Sequence, residues 1–200
     1  MKKDSSKTLY FNDIRYFNHP YPHIQVNDVL IPSVANEILN WLKKTKIWEV
    51  QDTTNQKSMA FNLEPSIIPE ELVNLFSGPE LIKLLHRFEE IFNESFDNKM
   101  VVTAFKHRKG EGTAIHNDFG ADANFTHRFI LYVNDGWTEQ DGGSLGLFSS
   151  ESIESLVKVV NPIHNTGVGL VFSQDSHHAV GAVRDGVRYS LVFSLTAIKC

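Results

Sequence analysis

The stretch Val187-Arg188-Tyr189-Ser190-Leu191-Val192-Phe193-Ser194-Leu195 decides how the chain folds. Its odd positions, Tyr189, Leu191, Phe193 and Leu195, are bulky and apolar, while its even positions include Arg188, Ser190 and Ser194. Successive side chains of a strand point to opposite faces. The segment therefore reads as a strand with one face on an apolar core and the other, carrying Arg188 and Ser190, on a cavity. An arginine held there is costly unless an anion compensates it, and the neighbouring positions of the strand supply none.

Outward from this strand, everything after Met100 has one texture. Short stretches rich in Val, Ile, Phe and Tyr alternate with Gly, Asn and Asp turns, as antiparallel strands do. They predict strands at 100–107, 113–118, 127–133, 144–148, 156–160, 169–172, 178–183 and 187–197. Eight such strands suggest a jelly roll, whose two facing sheets enclose a cavity. Before Phe96 the apolar residues recur mostly at helical spacing. Pro32-Ser33 opens a segment with Val34, Ile38, Leu39 and Leu42 in one stripe and Lys43, Lys44 and Lys46 at its far end. Cations there suit the negative end of a helix dipole. A second helix starts near Ser77-Gly78-Pro79-Glu80 and carries Leu81, Leu84, Leu85, Phe88, Ile91 and Phe92. A shorter helical turn is expected at Pro69-Glu70-Glu71-Leu72, and a short strand at His23-Ile24-Gln25-Val26. The expectation is a mainly β fold with N-terminal helices: one domain over 1–200, about 1–97 mainly helical and about 98–198 a jelly-roll core buttressed by the helices.

Composition narrows the class. Apolar content of 42% and charged content of 22% are those of a soluble globular protein. A formal net charge of −5 argues against non-specific nucleic-acid binding, which needs clustered cations. The one cysteine is Cys200, so no intrachain disulfide can form. Met1-Lys2-Lys3-Asp4-Ser5-Ser6 lacks the apolar region of a signal peptide, and no apolar run has the length of a bilayer span. These features lead to an expected cytoplasmic protein with no membrane partner.

His116-Asn117-Asp118 places an imidazole and a carboxylate two residues apart, on one face of a strand. His178 is the candidate third ligand, with His177 and His164 as rivals. Two histidines and one carboxylate suit iron(II) and leave coordination positions open. With no internal cysteine, the usual structural zinc site is absent. Arg188 follows His178 by ten positions; pairing with a surface carboxylate such as Asp185 is its other reading.

At this point the chain resembles the iron(II)- and 2-oxoglutarate-dependent dioxygenases, in particular the prolyl 4-hydroxylase-like branch. The resemblance runs over roughly residues 20 to 198 and is most specific from His107 to Leu195. It is carried by His116-Asn117-Asp118, Arg128-Phe129-Ile130-Leu131-Tyr132-Val133-Asn134, Trp137 and Gly142-Gly143-Ser144-Leu145. Leu170-Val171-Phe172-Ser173, His178-Ala179-Val180 and Gly186-Val187-Arg188-Tyr189-Ser190 continue it in the same order. The resemblance implies that His116, Asp118 and His178 hold iron(II). It implies that Arg188 receives the C5 carboxylate of 2-oxoglutarate, with Tyr132 and Ser190 beside it. Where the family has Tyr-x-x-Gly, this chain has His107-Arg108-Lys109-Gly110, which makes His107 a further cosubstrate candidate. His177 stands where an aromatic residue usually precedes the second metal histidine.

The implied reaction uses dioxygen and 2-oxoglutarate to hydroxylate an unactivated C–H bond of an amino-acid or peptidyl substrate, prolyl residues included, releasing succinate and CO2. Having Asp118 at the carboxylate position disfavours halogenation, for which family halogenases leave that ligand out. Phe119, Asn124 and Arg128 are the candidates for substrate contact, and Trp48 to Asn62 is expected to border the mouth. Two alternatives stay open. One is desaturation or another oxidation of a small metabolite on the same scaffold; the other is a cupin-like metal-binding protein that is not an oxygenase.

Overall fold

The computed structural model describes residues 11–73, 75–76, 78–120 and 125–198. In chain order the elements are β1 (Asn12–Phe17), β2 (His23–Asn27), α1 (Pro32–Lys44), β3 (Glu49–Asp52), β4 (Gln56–Asn62), α2 (Glu70–Val73) and α3 (Gly78–Phe92). There follow β5 (Val101–Arg108), β6 (Gly112–Thr113), β7 (His127–Tyr132), β8 (Leu145–Phe148), β9 (Leu156–Val160), β10 (Thr166–Val171), β11 (His177–Val180) and β12 (Val187–Leu195). A nine-stranded sheet runs β1-β2-β10-β7-β12-β5-β4-β3, with β6 beside β4, and a three-stranded sheet runs β11-β8-β9. The antiparallel sheets face each other as a jelly roll.

Alternation along β7 and β12 divides the interior. Tyr189, Leu191, Phe193 and Leu195 of β12 and Phe129 and Leu131 of β7 join one core with Ile38 and Leu42 of α1 and Leu84, Leu85 and Phe88 of α3. Phe88 is the hub, with ring centroids 5.0 Å from Phe129 and 5.8 Å from Phe193. The other face of the large sheet meets the small one through Ile130, Tyr132, Val168, Leu170 and Val192 against Leu145 and Leu147. The two-faced reading of 187–195 therefore holds. α1 buries Ala35, Ile38, Leu39 and Leu42 and ends on Lys43 and Lys44, as its stripe and charges require.

Two expectations need correction. Among the described residues up to 97 there are four strands as well as three helices, and β1–β4 extend the large sheet at both ends. β1 and β3 are mostly exposed on both sides and so carry no alternating signature. The strand expected over 113–118 is only two residues long at β6. Beyond it the chain leaves β4 and crosses to β11, where His116 and His178 form an isolated antiparallel bridge. Gly112 marks the crossing, since a Cβ there would lie 2.5 Å from the Val180 carbonyl oxygen. No helix among the described residues is long and apolar enough to cross a membrane.

Candidate metal centre

The bridge that pairs His116 with His178 builds the centre. Their backbones exchange two hydrogen bonds, His116 N–H to His178 O at 3.0 Å and His178 N–H to His116 O at 2.9 Å. The two rings are thereby set side by side, with centroids 4.4 Å apart. In each ring Nδ1 faces a backbone carbonyl at 2.9 Å, that of Ala114 for His116 and that of Ser176 for His178. A carbonyl can only accept, so Nδ1 carries the proton and Nε2 keeps its lone pair free for a metal. Burial, then the neighbouring His178, pulls the His116 pKa below its ordinary value and favours that neutral form.

Asp118 completes the group. One carboxylate oxygen lies 3.9 Å from His116 Nε2 and the other 3.2 Å from His178 Nε2. Among the described residues these three are the set whose ligand atoms lie within 4.8 Å of one another, and neither His177 nor His164 belongs to it. His177 projects the other way, its Nε2 3.8 Å from a Glu151 oxygen. Burial would raise the Asp118 pKa, but the charge of Arg128, whose Nη1 donates to the carboxylate at 2.6 Å, helps outweigh it and holds the carboxyl below its ordinary value. Two imidazole nitrogens and a carboxylate, with no thiolate, fit iron(II) with positions to spare.

Asn117, between the ligands, has a part that the spacing did not reveal. Its side-chain amide donates to Gln174 O at 2.6 Å, and its side-chain oxygen accepts from Phe119 N–H at 2.7 Å. It pins the Asp118 segment to the loop that leads into His178. An Asn beside a turn is the one sequence sign of this role.

Arg188 lies deeper in the same cavity, only 2% exposed. Its guanidinium sits 5.1 Å from the Tyr132 ring centroid, and Nη1 donates to His107 Nδ1 at 3.2 Å and Ser190 Oγ at 3.5 Å. Among the described residues it has no carboxylate partner, and its buried Nε has no partner at all. The buried Tyr132 hydroxyl and His107 Nε2 are likewise unsatisfied. A guanidinium can only donate, so His107 Nδ1 accepts and the ring proton sits on Nε2. Burial, reinforced by Arg188, pushes the His107 pKa down to about 3. The result is a converging set of donors around one cation, the arrangement a carboxylate would satisfy.

A single cavity of about 80 Å³ joins the two parts, with His116, His178, Arg128, His107, Arg188 and Ser190 in its wall. Gln56 from β4 and Phe105 from β5 close it on the side of the N-terminal region. Of the residues expected near substrate, Phe119 is 53% exposed and lines an open groove with Asn117, Gln174 and His177. Asn124 lies outside the described residues. Arg128 reaches the cavity but spends Nη1 on Asp118 at 2.6 Å. From the segment expected to border the mouth, Gln56 reaches the cavity, whereas Phe61 is buried against Trp41 and Trp48.

A family model described as the 2OG-Fe(II) oxygenase superfamily matches residues 81–195, more than half of the chain. The fold is similar to that of a Pseudomonas putida prolyl-4-hydroxylase, with a TM-score of 0.72 and 17% identity over 88% of this chain and 93% of that one. It is similar to a Trichoplax adhaerens prolyl hydroxylase in complex with a hypoxia inducible factor oxygen degradation domain peptide fragment, with a TM-score of 0.68 and 17% identity over 87% of this chain and 83% of that one. A third likeness is to the viral collagen prolyl hydroxylase of Paramecium Bursaria Chlorella virus-1 in complex with 2-oxoglutarate, with a TM-score of 0.62 and 15% identity over 88% of this chain and 96% of that one. At such identities these likenesses speak for the fold. None of the curated proteins matches the chain by sequence.

Proposed function

This chain belongs to the 2OG-Fe(II) oxygenase superfamily, and we propose that it hydroxylates an unactivated C–H bond of an amino-acid or peptidyl substrate, prolyl residues among them. Its cofactors are iron(II), 2-oxoglutarate and dioxygen. One observation carries the reading: a buried guanidinium without a carboxylate partner among the described residues shares a cavity with the His116, Asp118 and His178 group.

The chain's own groups divide the work. His116, Asp118 and His178 hold iron(II) through Nε2, a carboxylate oxygen and Nε2. Bound iron(II) with 2-oxoglutarate and dioxygen supplies the oxidising power, with succinate and CO2 as by-products. Arg188 pairs with the far carboxylate of 2-oxoglutarate, Tyr132 and His107 Nε2–H donate to it, and Ser190 keeps the guanidinium in place. The apolar walls, Phe105, Ile130, Leu145 and Val192, exclude water and strengthen each of these contacts. Asn117 fixes the ligand loop, and Phe119 stands at the entrance. The structural likeness to a hydroxylase bound to a peptide supports a peptidyl substrate as one arm of the reading.

The test is iron-dependent conversion of 2-oxoglutarate to succinate in the presence of panels of amino acids, peptides and cell extract. The expected product gains one oxygen atom; loss of two hydrogens would assign desaturation instead. Failure of the anaerobic iron(II) protein to bind 2-oxoglutarate would sink the reading altogether.

A further inference from the structure

The cavity contains a second cation that cosubstrate binding leaves unused, Arg128, whose side chain is 24% exposed but whose Nε is buried. Arg128 and Ile130 of β7 line the cavity and Tyr132 shares their face of the strand, while the register with β12 sets Tyr132 opposite Ser190 and Arg128 opposite Ser194. Arg188 lies at the Tyr132 end of this row and Arg128 at the other end, beside Asp118. The Arg128 guanidinium lies 5.2 Å from the Phe172 ring centroid. Of its donors only Nη1 is bonded, and the buried Nε has no partner among the described residues. Guanidinium has five N–H donors, and a buried one left unmet, as Nε–H is here, is costly.

Charge points the same way. Among the described residues, Asp118 is the one carboxylate within ion-pair distance of either arginine of this cavity. His107 is neutral there, held at a pKa of about 3 by burial and Arg188. Two guanidiniums and a divalent iron then outweigh Asp118 and the two carboxylates of 2-oxoglutarate by a single positive charge. A carboxylate beside Arg128 balances this cluster when any ammonium of the same substrate stands outside it; a neutral amide segment does not.

We infer that Arg128 binds a carboxylate of the substrate, so that the enzyme acts on a free amino acid or on the C-terminal residue of a peptide. Arg128 then serves two acceptors, Asp118 through Nη1 and the substrate through its remaining donors. This inference rests on the oxygenase reading of the same site.

The test uses the full chain loaded with manganese(II) in place of iron and saturated with 2-oxoglutarate, with proton relaxation of small probes reporting their approach to the metal. Propionate is expected to relax at least tenfold faster than propionamide. Arg128→Gln removes the propionate effect, and Arg128→Lys, which keeps the charge, retains part of it. Free L-proline and glycyl-L-proline then separate the two sources of carboxylate, while N-acetyl-prolinamide serves as the capped control. The inference is overturned if propionamide or the capped control relaxes as strongly as its acid. It is equally overturned if propionate shows no enhancement, or an undiminished one in Arg128→Gln. Should Arg128→Gln lose manganese, the acid-against-amide comparison in the wild type and the Arg128→Lys protein still decide. A wild-type protein that fails to bind 2-oxoglutarate removes the oxygenase reading itself, a separate and earlier outcome of the same titration.

Discussion

The two faces of the large sheet are made by the same strands and obey opposite rules. On the helix side β7 and β12 present Phe129, Leu131, Leu191 and Phe193, in one apolar core with Phe88. On the cavity side the same strands present Arg128, Tyr132, Arg188 and Ser190, several of whose polar atoms are buried without partners. One face holds the fold together. The other carries polar groups unmet among the described residues, a cost that a bound carboxylate would relieve and that the first face must offset.

The largest effects fall on the metal. His178→Ala is expected to abolish metal binding, whereas His177→Ala, whose ring points toward Glu151, keeps it; titration with iron(II) under anaerobic conditions separates them. The reverse outcome would shift the ligand assignment by one residue. Next comes the helix side, where Phe88→Ala should destabilise the protein by about 3–5 kcal/mol. Urea unfolding would show this, and 2-oxoglutarate affinity in the remaining folded protein should be unchanged. A loss of affinity there would mean that the two faces are not independent.

On the cavity side, Arg188→Met should weaken 2-oxoglutarate binding by roughly a hundredfold, about 3 kcal/mol, while leaving the ligand-free protein as stable as before or more so. A variant that unfolds more easily without cosubstrate would show that Arg188 serves the fold. Both faces also carry a buried neutral histidine. Burial, with Arg188 behind it, takes His107 down to about 3, and burial alone takes His127 to about 4. A histidine whose folded pKa lies below its ordinary value of 6.5 stabilises the folded state above 6.5. That stability falls as the pH drops from 6.5 toward the folded pKa, because the unfolded chain takes up a proton the folded one refuses. His107→Gln should flatten that part of the stability profile between pH 6.5 and about 3; an unchanged slope would mean the folded protein accepts the proton. The smallest effect is expected for Tyr132→Phe, about 1 kcal/mol or fivefold in 2-oxoglutarate affinity, as for one lost hydrogen bond.

How legible each face was in the sequence follows from the same contrast. The β12 alternation could be read directly because both of its faces are buried and differ in polarity along nine residues. The ligand pair His116 and Asp118 announced itself by type and spacing, and Arg188 by being an arginine among apolar neighbours. β1 and β3 were missed because exposure on both sides removes any period. The shortness of β6 was hidden because the chain leaves β4 after Thr113, whose hydroxyl accepts from Val180 N–H, a partner remote in sequence. Arg128 could be placed near substrate, but its bond to Asp118 arises only when β7 lies beside the ligand loop. Asn124 was named for the same region, and it lies outside the described residues.

The bridge between His116 and His178 has a consequence for the protein's local stability. It joins two segments far apart in the chain by two backbone hydrogen bonds, with Asn117 and Thr113 adding one side-chain bond each, so an ion shared by the two rings and Asp118 would act as a removable staple between them. Whatever binds the folded form alone raises its stability in proportion to the logarithm of supply. Removal of iron(II) is therefore expected to loosen this crossing before the helix-packed core, which hydrogen exchange at the His116 and His178 amides would show.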